Sequence, residues 1–102
     1  MIIFVDIDDT ICYYKEINDN KNYELAEPYK ERIHKINKLY DEGNTIIYWT
    51  ARGTLSQVNW FEKTLTQLKN WNCKFNELRM GKPVYDLFID DKNINSDVYF
   101  TM

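Results

Sequence analysis

The chain has 102 residues, of which 44% are hydrophobic and 28% charged, with a formal net charge of −3. That length carries one core and so one domain, residues 1–102, and the charge balance leaves no basic footprint for nucleic acid. No apolar run is long enough to span a membrane and no secretory leader pattern precedes the first strand, so a cytoplasmic protein without a membrane partner is expected.

Residues 2–6 open as a buried strand. Ile2, Ile3, Phe4 and Val5 run unbroken into Asp6, the pattern of a strand covered on both faces. Asp8, Asp9 and Thr10 follow after one residue. Folding alone does not call for acids there, because burying unpaired carboxylates is costly. At the carboxyl end of a parallel strand, however, they face the crevice where such sheets bind ligands.

Residues 11–27 read as a long loop or small hairpin, polar and turn-rich at 18–22 and flanked by Tyr13, Tyr14 and Tyr23. Pro28 suits a helix start. Ile33, Ile36, Leu39 and Tyr40 then form one apolar face, stopped by Gly43 and Asn44. Residues 45–49 are a second buried strand, ending at Thr50. A break at Ala51, Arg52 and Gly53 leads to a second helix over about 55–70, with Val58, Phe61, Leu65 and Leu68 as its core stripe and Thr54 or Ser56 as its cap. Residues 75–79 suit a short strand. Gly81, Lys82 and Pro83 form a turn, and 84–89 are a last strand that delivers Asp90 and Asp91. Strands alternating with helices predict an α/β fold with a parallel sheet and right-handed crossovers.

In a parallel sheet Asp6, Asp8, Thr50, Asp90 and Asp91 meet at one edge, with Lys82 a turn away. Packed carboxylates repel and need a cation or shared protons, and an all-oxygen set suits Mg²⁺. His34, the single histidine, lies on the first helix, which argues against zinc. Lys82 and Thr50 remain to hold an anion, so the set points to a phosphoryl group. Arg52 reads equally as a contact for a substrate's anionic tail and as a surface charge. Cys12 and Cys73 have neither metal-ligand nor disulfide spacing and read as free thiols. Trp49 and Trp60 read as core.

Asp6-Ile-Asp8-Asp-Thr10, Thr50 after an apolar strand, then Lys82, then Asp90-Asp91 after another strand resemble the four motifs of the haloacid dehalogenase superfamily, in order and over nearly the whole chain. The segments around Trp49–Gly53 and 81–91 are similar to small bacterial capsule or polysaccharide biosynthesis phosphatases. The resemblance implies a three-layer, Rossmann-like fold with a small parallel sheet flanked by helices. It also implies catalysis through an aspartyl-phosphate, with Asp6 the nucleophile and Asp8 the general acid and base. Asp8 favours phosphatase chemistry over dehalogenation. Mg²⁺ would be held by Asp6, the Asp8 carbonyl and Asp90, with Asp91 binding through water or orienting the shell. Thr50 would donate to the phosphoryl oxygens, Lys82 would neutralise charge, and Thr10 would tie the loop. Asp9 receives no catalytic role. No insertion is long enough for a cap domain.

The expected function is therefore Mg²⁺-dependent hydrolysis of a phosphomonoester, a phosphorylated sugar or related small metabolite. A polynucleotide 3′-phosphatase and a phospho-accepting module without turnover are the alternatives. The missing cap and the short stretch after Asp91 suggest a homo-oligomer, in which a neighbouring subunit or the tyrosines of 11–27 close the site.

Overall fold

The computed structural model describes residues 1–16 and 22–102; most of the turn-rich cluster at 18–22 lies outside the described residues. In chain order the elements are β1 (Ile2–Val5), β2 (Cys12–Tyr13), a 3₁₀ turn (Tyr23–Leu25), β3 (Glu27–Pro28), α1 (Lys30–Asp41), β4 (Thr45–Trp49), α2 (Phe61–Asn70), β5 (Glu77–Arg79) and α3 (Ser96–Phe100). β1, β4 and β5 form a parallel sheet in that order, and β2 pairs antiparallel with β3. The expected parallel α/β fold is thus present, and the expected hairpin in 11–27 is the β2–β3 pair.

Register sets the core. Val5 sits beside Tyr48 and Tyr48 beside Leu78, so these side chains point to one face. They cluster with Ile33 and Ile36 of α1 and Leu68 of α2, and Tyr99 and Phe100 of α3 pack against the cluster. α1 ends as expected at Gly43. Its N–H donates to Tyr40 and that of Asn44 to Leu39, a Schellman closure that uses the positive φ of Gly43.

Three expectations need correction. Residues 84–89 form no strand. The N–H of Lys82 bonds the Thr50 carbonyl at 3.1 Å, which fixes Lys82 at the carboxyl end of the sheet. A parallel strand beginning at Val84 would have to start at the amino end. Five residues of strand span about 16 Å, whereas two residues reach at most about 7 Å.

The second correction follows from the first. β1, β4 and β5 advance in one direction, and right-handed crossovers then leave both connecting helices on one face. Among the described residues the helices cover one face of the sheet, and Ile2 and Phe4 on the other face are exposed.

The third concerns α2, which starts at Phe61 rather than near 55. Gln57 takes a left-handed φ of 62°, which a helix does not tolerate, and Val58 is exposed. Asn59 accepts from the Phe61 N–H in place of the expected caps, while Thr54 donates its hydroxyl to the Lys82 carbonyl.

Candidate functional site

The turn after β1 is built around Ile7, which is fully buried. Its carbonyl accepts from the N–H groups of Thr10 and Ile11 at 3.1 and 2.9 Å. Asp9 takes a φ of 63°, a conformation an aspartate tolerates better than most residues. Asp9 therefore shapes the loop that presents its neighbours, a role its motif position did not suggest. Asp6 and Asp8 flank Ile7 in sequence, and both are partly buried.

Asp6 sits at the sheet's carboxyl end with its side chain 36% exposed, and the Lys82 ammonium lies 3.3 Å from its Oδ1. The Thr10 hydroxyl donates to Oδ2 at 3.2 Å, as its loop-tying role requires. Lys82 is held by its backbone bonds to Thr50 and Thr54, and its amine also faces the Trp49 and Tyr85 rings. Sequence reasoning thus placed Asp6, Thr10 and Lys82 together, and the structure brings them together. Thr50 lies at the same sheet end but is 1% exposed. Its hydroxyl accepts from the Arg52 N–H at 3.1 Å and braces the turn.

Asp8 has a different environment. Arg52 donates from Nη2 to Oδ1 at 2.8 Å and from Nε to Oδ2 at 3.1 Å. The Tyr14 hydroxyl donates to Oδ1 at 2.5 Å, and the Cys12 thiol approaches the same oxygen at 3.5 Å. Burial pushes the Asp8 pKa up, but the Arg52 hydrogen bonds and charge, with help from Tyr14 and Cys12, outweigh it and hold the carboxyl below its ordinary range. Asp8 is a carboxylate. Burial, reinforced by the Asp8 charge, raises the pKa of the Cys12 thiol and the Tyr14 hydroxyl, so both stay protonated.

Arg52 is neither a surface charge nor a free anion contact. It is 3% exposed, and its remaining nitrogen, Nη1, donates to Thr64 at 3.2 Å and Gln67 at 2.7 Å. Tyr23 covers the guanidinium at 4.9 Å and meets Trp60 edge-on, while Tyr13 stacks on Tyr29. The tyrosines of 11–27 are therefore engaged within the fold and do not form an open aromatic surface. Trp49 and Trp60 are half-buried rather than core. Both cysteines are free, and His34 is exposed on α1.

Thr64 and Gln67 were missed as members of the site, and Tyr14, expected only as part of a closing surface, instead donates to Asp8. A signal existed for two of them: Thr64 and Gln67 are polar residues three apart on the face of α2 that otherwise carries Leu65 and Leu68.

Asp90 and Asp91 are exposed. Among the described residues, no three His, Cys, Asp or Glu side chains assemble into a group that would hold a metal ion. Asp6 and Asp8 stand at the sheet end, while Asp90 and Asp91 follow the unpaired segment. A groove of about 470 Å³ between the 3₁₀ turn and α2 is lined by Glu24, Lys63, Gln67 and Trp71 among others. It shares none of Asp6, Thr50 or Lys82. No helix among the described residues is long and apolar enough to cross a membrane.

The chain is similar in fold to a structural-genomics target from Vibrio cholerae known from its crystal structure. The TM-score is 0.83 at 19% identity, covering 99% of this chain and 88% of that one. No protein-family model and no curated protein matches the sequence.

Proposed function

We propose that the protein is a phosphomonoester hydrolase of the haloacid dehalogenase type, acting through an aspartyl-phosphate on a phosphorylated sugar or related metabolite. The observation that carries this reading is the pairing of Lys82 with Asp6 at 3.3 Å, on a partly exposed carboxylate at the sheet's carboxyl end. A cation beside a nucleophilic carboxylate lowers the repulsion that an incoming phosphate dianion meets.

In this reading an Asp6 oxygen attacks phosphorus, the bond to the leaving oxygen breaks, and the phosphoryl group rests on Asp6. Water, losing its proton to Asp8, then attacks the same phosphorus. Phosphate leaves and the Asp6 carboxylate is restored. Asp8 is in the base-ready form that this second half requires. Protonating the leaving oxygen, the other role the resemblance gives Asp8, requires it first to take up a proton and release Arg52. Mg²⁺ would offset the charge on the phosphoryl oxygens, held by Asp6, the Asp8 carbonyl and Asp90.

The test is hydrolysis of p-nitrophenyl phosphate with Mg²⁺ and with EDTA. Metal-dependent turnover that Asp6→Asn abolishes is expected, and its absence would end the enzyme reading. The Arg52 grip on Asp8 favours one alternative, a phospho-accepting module without turnover, because an engaged base hydrolyses aspartyl-phosphate slowly. A phosphoenzyme that persists for minutes in the wild type would select that reading.

A further inference from the structure

Arg32, in the first turn of α1, is held on every side that its contacts define. Nη1 donates to the Thr10 carbonyl at 3.1 Å and Nη2 to the Asp97 carboxylate at 2.9 Å. The central guanidinium carbon lies 4.5 Å from the centre of the Tyr29 ring and 4.9 Å from that of Phe100. The planar fork is thus fixed at its edges and covered by two rings, with 19% of the side chain exposed. Arginine suits such a place, because it stacks on aromatic rings while its edges donate.

The Thr10 carbonyl belongs to the turn that carries Asp6 and Asp8. Its neighbours are satisfied by main chain. The Ile7 carbonyl takes the N–H groups of Thr10 and Ile11, and the Ile11 carbonyl takes that of Tyr29 at 2.8 Å. The Thr10 carbonyl takes a side chain, Arg32, which comes from 22 residues away. Thr10 also donates its hydroxyl to Oδ2 of Asp6. One residue therefore joins Arg32, through its main chain, to Asp6, through its side chain.

Behind Arg32 stands α3. Asp97 and Phe100 both belong to it. Lys35, on the same face of α1 as Arg32, donates to the Tyr99 carbonyl at 3.5 Å. The Asp97 side chain is 78% exposed, and an ion pair with so open an acid adds little to stability. Its geometric consequence is larger. In-line attack needs a nucleophile held near its reacting position, and a misplacement of about 1 Å can cost about 10²-fold in rate. The turn also bends through the left-handed φ of Asp9, a conformation that persists only where its surroundings hold it.

We propose that Arg32 is a positioning residue for Asp6. Backed by Asp97 and Phe100, it fixes the Thr10 main chain, and Thr10 fixes the plane of the Asp6 carboxylate beside Lys82. In this way the C-terminal helix sets the aim of a nucleophile at the end of the first strand. The catalytic part of this statement rests on the phosphoryl-transfer reading; the tie from Arg32 to Asp6 does not.

The experiment uses the full chain and two readouts. The first needs no turnover. In protein labelled with ¹³C at the aspartate carboxyls, the Asp6 signal, assigned by its loss in Asp6→Asn, should move in Thr10→Val. It should move in the same direction in Arg32→Met, and by less in Asp97→Ala. The second readout is single-turnover release of p-nitrophenol from p-nitrophenyl phosphate with enzyme in excess, which follows formation of the aspartyl-phosphate. Arg32→Met should slow it about 10- to 100-fold. Arg32→Lys, which keeps the charge but lacks the fork, should fall between Arg32→Met and wild type. In a Thr10→Val background Arg32→Met should cause little further loss, because the route to Asp6 is already cut.

Circular dichroism checks that each variant folds, and Asp97→Ala, at an exposed side chain, replaces Arg32→Met if that protein does not. An Asp6 signal that stays in place in the folded variant overturns the tie. Losses from Arg32→Met and Thr10→Val that multiply give Arg32 a structural role alone and overturn the positioning. An Asp6 signal that moves as expected, in a protein whose wild type releases no p-nitrophenol, leaves the tie standing and removes the phosphatase reading.

Discussion

Arg52 holds Asp8 by both carboxylate oxygens, at 2.8 and 3.1 Å, with only 1% of the arginine side chain and 16% of the aspartate side chain exposed. A fork of this kind is charge-assisted and geometrically specific. Removing one partner leaves the other charged and buried, which costs about 3–5 kcal/mol. Arg52→Ala should therefore lower unfolding free energy by about that amount in urea titrations. Arg52→Lys keeps the charge but loses the fork, and should fall between the two. An Arg52→Ala protein as stable as wild type would mean that the pair does not hold the site together.

The same pair sets a pH dependence. The folded Asp8 pKa lies below the ordinary 3.8. The stability it contributes is present in full above that value and is lost as pH falls through the folded pKa. The wild type should thus be more stable than Asp8→Asn at pH 6, with the gap narrowing on acidification below about pH 4. Arg52→Gln should raise the Asp8 pKa and move the acid limb of the kcat/KM profile upward. A limb that does not move would separate Asp8 from the rate.

Asp6, Lys82 and Thr10 were legible in the sequence because each depends on a local rule: a buried strand ends in an acid, and a turn follows it. Arg52 was ambiguous because its partner is 44 residues away, and an arginine beside a glycine reads the same whether exposed or buried. Residues 84–89 misled for a further reason. Their apolar run is a strand pattern, but the pattern is blind to where the chain is anchored. Lys82, tied to Thr50, denies the segment the space to run parallel to β1. The second helical layer was expected on the same mistaken premise.

Gly53 should tolerate no side chain. Its φ is +80°, and a Cβ there would come within 2.2 Å of the Val58 carbonyl oxygen. Gly43 also has a positive φ, but a Cβ would meet nothing within 4 Å. Gly43→Ala should therefore cost only the left-handed conformation, about 1–2 kcal/mol. Gly53→Ala should cost more, since the backbone of 53–58 must also shift, and Arg52 is next to it. Comparing the two melting temperatures tests this, and equal losses would show that the 53–58 turn yields freely.

Lys82→Met separates chemistry from stability. The Lys82–Asp6 pair has a partly exposed acid, so its loss should change unfolding free energy by no more than about 1 kcal/mol. If Lys82 stabilises charge as phosphate reaches Asp6, the same change should lower kcat/KM for p-nitrophenyl phosphate about 10²- to 10³-fold. Inhibition by inorganic phosphate should weaken in parallel, because the product dianion meets the same cation. Lys82→Arg restores the charge on a different geometry and should recover part of the loss. A Lys82→Met protein with wild-type kcat/KM would remove Lys82 from the reaction and leave it as a tether between Thr50 and Thr54.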